Sequence, residues 1–88
     1  MTPAQLIRLA EAIYGPELGD DWKSQMAEDL GVDRRTVHRW LDGTRGIPEG
    51  IEKDLRFIAS ERAEEFAAQP ALAKVRAREL KAIAEGKS

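Results

Sequence analysis

Cysteine is absent from the 88 residues, histidine occurs once and aromatic residues number five. Without thiols there is no disulfide staple, no thiolate metal site and no cysteine nucleophile, so apolar packing, with or without association, must hold the fold. No apolar run approaches the roughly 18 residues of a membrane span. The N-terminus also lacks the basic start and apolar stretch of a signal peptide, so a soluble, unprocessed, cytoplasmic chain without a membrane partner is expected. Large apolar side chains are few as well: of 37 hydrophobic residues 13 are Ala, which leaves 24 to build a core. One domain with a modest core is expected, and a large catalytic cleft is not. Neither sign of charge dominates, with 14 Lys plus Arg against 16 Asp plus Glu and a net charge of -2.

Val, Ile and Thr together number only 12, while Ala, Leu, Glu, Arg and Lys are abundant. That balance favours helices over strands, and the spacing predicts an all-α bundle of about five helices. Thr2-Pro3-Ala4-Gln5 carries a capping box with proline at the first helical position, and Leu6, Ile7, Leu9, Ala10, Ile13 and Tyr14 continue it as a broad apolar face. Gly15-Pro16 is expected to stop this helix. A second, short helix follows Gly19-Asp20-Asp21, with Trp22, Met26, Ala27 and Leu30 on one face and Gly31 at its end. Asp33 is placed to cap a third helix, Arg34 to Leu41, with Gly43 suited to a left-handed position beyond it. Pro48 is expected to open the fourth, whose buried stripe is Ile51, Leu55, Ile58, Ala59, Arg62 and Phe66; Gln69-Pro70 breaks or kinks it. The fifth, Pro70 to about Glu85, carries Leu72, Val75, Leu80 and Ile83 on one side and Lys74, Arg78 and Lys81 on the other.

The informative stretch is Lys23 to Asp42, KSQMAEDLGVDRRTVHRWLD. Two short helices joined by Gly31-Val32-Asp33 cannot form a long antiparallel hairpin, because a three-residue link starting with glycine forces a tight angle. A helix-turn-helix needs a small residue where its helices pack closest, a residue free to take positive φ in the turn, and apolar positions that lock the angle. Ala27 and Gly31 meet the first two needs, and Met26, Leu30, Val32, Val37 and Trp40 fill the apolar positions. The outer face of the third helix is left as Arg34, Arg35, Thr36, His38 and Arg39.

With these residues in place the chain resembles the Cro/CI-type (XRE-like) helix-turn-helix regulators of phages and bacteria, over roughly Leu6 to Phe66 and most strongly over Lys23 to Leu41. Its connection from Gly15 to Asp21 is longer than usual for that family. The resemblance implies a lambda-repressor-like fold, with a DNA-binding domain at residues 1–68 and a C-terminal helix at 69–88 for dimerisation or packing. It also implies a transcriptional repressor on double-stranded DNA. A B-DNA major groove admits one α-helix, and the family docks the second helix of the motif there. On that pattern Arg34, Arg35, His38 and Arg39 would read bases, with at least one guanine in each half-site. Lys23, Ser24 and Gln25 would meet phosphate, with Thr36, Thr44 and Arg45 as further phosphate contacts. Such small regulators often repress their own operon, some of them beside anti-CRISPR genes.

Local charge agrees better with this reading than the net charge does. From Arg34 to Arg45 there are four arginines and one acid, from Ile47 to Gln69 the balance is -3, and from Pro70 to Ser88 it is +3 and could reach a flanking phosphate. The lone His38 has no partners of ligand spacing, so no metal, cofactor or small-molecule ligand is expected. Trp22 and Trp40 lie on the apolar sides of their helices and read as core. Asp20-Asp21 and Glu28-Asp29 lack a nucleophile or phosphate loop, so they read as caps and solubilising charge, and no enzymatic activity is expected. The stripe Leu72, Val75, Leu80 and Ile83 either folds back on its own domain or pairs with a second copy. A homodimer on a palindromic operator is the preferred expectation, since one recognition helix contacts few bases. The alternative is an antitoxin-like protein-interaction module with secondary DNA binding.

Overall fold

A computed structural model describes residues 1–69 and 71–86, and the side chains of all of these except Ala71 and Leu72. Thr2 Oγ1 accepts the Gln5 N–H at 3.2 Å while the Gln5 side-chain oxygen accepts the Thr2 N–H at 2.9 Å. This reciprocal cap starts helix α1 (Pro3–Leu18). The helix does not stop at Gly15-Pro16, as expected, but runs through Pro16. A proline inside a helix removes one N–H and leaves the carbonyl four residues earlier without its donor. Here that carbonyl is Ala12, and a distant guanidinium takes the missing donor's place: Arg76 Nη2 donates to Ala12 O at 2.9 Å and to Ile13 O at 2.8 Å.

A single 3₁₀ turn, Gly19–Asp21, leads into α2 (Trp22–Leu30), and α3 (Arg34–Leu41) follows three residues later. Gly31 adopts φ 70°, the left-handed conformation the tight link requires. Its N–H bonds the Glu28 carbonyl at 3.1 Å and the Val32 N–H bonds the Ala27 carbonyl at 3.0 Å. The last carbonyls of α2 are thereby satisfied and the chain is turned sharply.

Helix α4 (Ile51–Ala67) begins three residues after Pro48 rather than at it. Residues 47–50 form a turn in which Pro48 O accepts the Ile51 N–H at 3.2 Å. Gly50 explains the late start, because glycine is a poor residue to carry inside a first helical turn. The helix ends at Ala67, ahead of Gln69; Pro70 lies outside the described residues. Its buried residues are Ile51, Leu55, Ile58, Ala59 and Ala63, while Arg62 and Phe66 are half-buried.

Helix α5 (Ala71–Ala84) returns along α4. Leu80 is 0% exposed inside the core shared by all these helices, and Ile83 packs against that core. Leu80 is thus not available for pairing with another chain, which corrects the expected dimerisation stripe at that position: Leu80 and Ile83 fold back onto their own domain. Val75 is 59% exposed, and the side chain of Leu72 lies outside the described residues. Every fully buried side chain of Leu or Ile size contributes roughly 1.5–3 kcal/mol, so a chain with few of them does best to bury Leu80 itself. The described residues are all helix and turn, with no strand, and the radius of gyration is 12.9 Å, against roughly 12 Å for a compact chain of this length.

Candidate nucleic-acid interface

Helix α3 is held from beneath by Val37 and Trp40, both buried, and it packs against α1 and α2. Its ends are finished by acids. Asp33 Oδ1 accepts the Arg35 N–H at 3.1 Å at the start, and Asp42 Oδ1 accepts the Thr44 N–H at 2.8 Å just past the end. The Arg45 N–H donates to the Arg39 carbonyl at 3.1 Å, so the loop with Gly43 at φ 80° folds back over the helix terminus. The hydrogen bonds from Thr44 hold the Asp42 carboxyl below the usual carboxylate range, and the charges of His38 and Arg39 add to this.

Four of the expected base-reading side chains, Arg34, Arg35, His38 and Arg39, are exposed on this rigid helix. Among the described residues none of the arginines Arg34, Arg35, Arg39 and Arg45 is in an ion pair. Their placement is electrostatically awkward. Arg34 and Arg35 occupy the first turn, where the backbone dipole favours anions, and that turn contains no acid. Nothing in the fold is gained by two cations there, which marks the face as one that suits an external anion.

The expected phosphate contacts divide. Thr44 and Arg45 are exposed and Thr36 is half-buried. At the start of α2, Ser24 is exposed, while Lys23 lies with its ammonium 5.8 Å from the centroid of the Trp22 ring. Gln25 is turned into the molecule's own network: its amide donates to Asp29 Oδ1 at 3.0 Å, and Asp29 Oδ2 accepts the Tyr14 hydroxyl at 2.8 Å. Burial first, and then that bond to Asp29, push the Tyr14 phenol above its ordinary pKa. The motif positions Met26, Ala27, Val37 and Trp40 are buried, and Leu30 and Val32 are half-buried against the same core.

Two residues outside the expected set matter. Arg76, 11% exposed, bonds Glu17 at 2.7 Å as well as the two α1 carbonyls, so this cation of the basic C-terminal segment cannot reach out to a phosphate. Glu17 is pushed up by burial but pulled down further by the hydrogen bonds and charges of Arg76 and Arg62, so its pKa is lowered. The signal for Arg76 lay in Pro16, which frees a carbonyl once the helix continues. Phe57 is 65% exposed, and it falls off the stripe of Ile51, Leu55 and Ile58. Among the described residues no group of His, Asp and Glu is arranged to hold a metal ion, and no helix is long and apolar enough to cross a membrane.

No family model, no curated protein sequence and no solved structure matches the chain.

Proposed function

We propose that this protein is a sequence-specific DNA-binding regulator in which α2, the Gly31 turn and α3 form a helix-turn-helix and α3 enters the major groove. The observation that carries the reading is the outer face of α3. Arg34, Arg35 and Arg39 stand exposed and, among the described residues, without ion pairs on a helix fixed by Val37 and Trp40, two of them at the end where a cation destabilises a helix. A face built against its own helix dipole is explained by a polyanionic partner, and arginine suits guanine because it bonds O6 and N7 together. Ser24 and the backbone amides at the start of α2, with Thr44 and Arg45, are offered as phosphate contacts that set the register.

The protein would act in the cytoplasm as a homodimeric repressor on an inverted repeat, its half-sites about 34–36 Å apart. Selection of bound sites from random duplex DNA, repeated at two salt concentrations, tests this. A palindromic consensus with guanine in each half is the expected result, and the slope of log affinity against log salt counts the phosphates engaged. Recovery of unselected sequence would overturn the reading.

A further inference from the structure

Two open cavities run end to end along the seam of α4 and α5, sharing Ser60 and Lys81. The one toward the C-terminal end of α5, about 570 Å³, is lined by the exposed ring of Phe57. The one toward the turn between the helices, about 300 Å³, is lined by Ala63, Ala67 and Ala77. A knob and a hole thus sit on either side of a shared midpoint. Charge is mixed at the knob end, where Glu49, Glu52, Lys53 and Arg56 line the cavity, whereas Glu64 of α4 and Arg78 of α5 flank the hole. Among the described residues Lys53, Glu64 and Arg78 make no ion pair within the chain.

We propose that this seam is where a second copy of the chain docks, face to face, across a two-fold axis that crosses the two helices at right angles at the Ser60 and Lys81 midpoint. That operation exchanges the ends of the seam. It seats Phe57 of each copy over the alanine hole of the other and brings Lys53 of each copy toward Glu64 of the other, which is the self-complementarity a two-fold interface demands. A two-fold axis parallel to the helices would leave hole facing hole, unfilled, against the close packing that stable contacts reach. The occupant is a second copy because one surface carries both members of each match, Phe57 with the alanine hole and Lys53 with Glu64. No α3 residue lines the seam, so both recognition faces stay open. The inference rests on the DNA-binding reading only for the purpose of pairing; the geometric case does not need it.

Sedimentation velocity of the full chain from low to high micromolar concentration tests the proposal. The wild type should move from monomer to dimer. Phe57→Asp should weaken the dimer by at least about tenfold, as loss of a central aromatic anchor does. Its circular dichroism should be unchanged, since the ring is already in water. Val75→Asp, at another exposed apolar side chain, should associate like the wild type. Lys53→Glu should weaken the dimer, and Lys53→Glu with Glu64→Lys in one chain should restore it. A wild type that stays monomeric, a Phe57→Asp chain that dimerises normally, loss of the dimer with Val75→Asp, or a double reversal no tighter than Lys53→Glu alone would each overturn the proposal. Site selection run in parallel separates the two readings. Selective DNA binding by a monomeric chain sinks this interface alone, and a Phe57-dependent dimer without DNA selectivity sinks the DNA-binding reading alone.

Discussion

Arginine does opposite work at the two ends of this molecule. Where α5 meets α1, Arg76 is nearly buried, bonded to Glu17 and to two carbonyls, and Arg62 adds a second bond to the same carboxylate at 3.1 Å while its guanidinium stacks 5.1 Å from the Tyr14 ring. On α3, Arg34, Arg35 and Arg39 are exposed and, among the described residues, make no ion pair. The nearby acids are turned toward backbone amides, Asp33 to that of Arg35 and Asp42 to that of Thr44, and neither forms an ion pair with these arginines. The difference lies in the acceptors: a proline-freed carbonyl and a half-buried carboxylate draw an arginine inward, whereas two capping acids leave their neighbours facing out.

The contrast can be broken by substitution. Arg76→Ala should have the largest effect, destabilising the fold by about 2–4 kcal/mol, because it removes the charge-assisted bonds to Glu17 and takes the donor from the Ala12 carbonyl; urea unfolding measures it. Arg35→Ala should leave stability within about 0.5 kcal/mol. It should cost about 1–3 kcal/mol in DNA affinity and relax preference at one base position. Equal loss on cognate and scrambled DNA would remove Arg35 from base reading. Arg35→Glu sharpens the test, since it should abolish binding yet raise stability by roughly 0.3–1 kcal/mol through the helix dipole.

Smaller effects should follow from the proline inside α1 and from pH. Pro16→Ala returns an N–H to the Ala12 carbonyl, so the cost of Arg76→Ala should shrink by about 1 kcal/mol in that background. The folded pKa of Glu17 is lowered from 4.5, so its stabilisation is present above that value and is lost as pH falls through the lower, folded one. Glu17→Gln should therefore flatten the acid limb of the stability profile in thermal melts between pH 6 and 3. Lys23→Ala, the mildest, should weaken all DNA sequences alike and lower the salt slope by about 1.

Local chemistry explains which parts were legible in the sequence. Thr2 with Gln5, Gly31 and Asp33 act on backbone groups two to five residues away, and their capping roles are the ones their types and spacing predict. The same holds for Val37 and Trp40, whose burial follows from helical period. What could not be read depends on partners far along the chain. Pro16 looks like a stop until Arg76, 60 positions later, supplies the missing donor. Leu80 looks free to pair until α5 lies on α4. Gln25, suited by position to a phosphate, is diverted by Asp29, which Tyr14 holds in turn.

Pro16 also bears on how α5 lies. Without Pro16, α1 would offer α5 no freed carbonyl, and the burial of Leu80 and Ala77 would set the register of α5 without it. The freed Ala12 carbonyl is a notch in the surface of α1, and Arg76 is the pin that enters it. The hairpin of α4 and α5 is thereby pinned in that register, and the seam that carries Phe57 and Lys53 is presented at a defined height relative to α3.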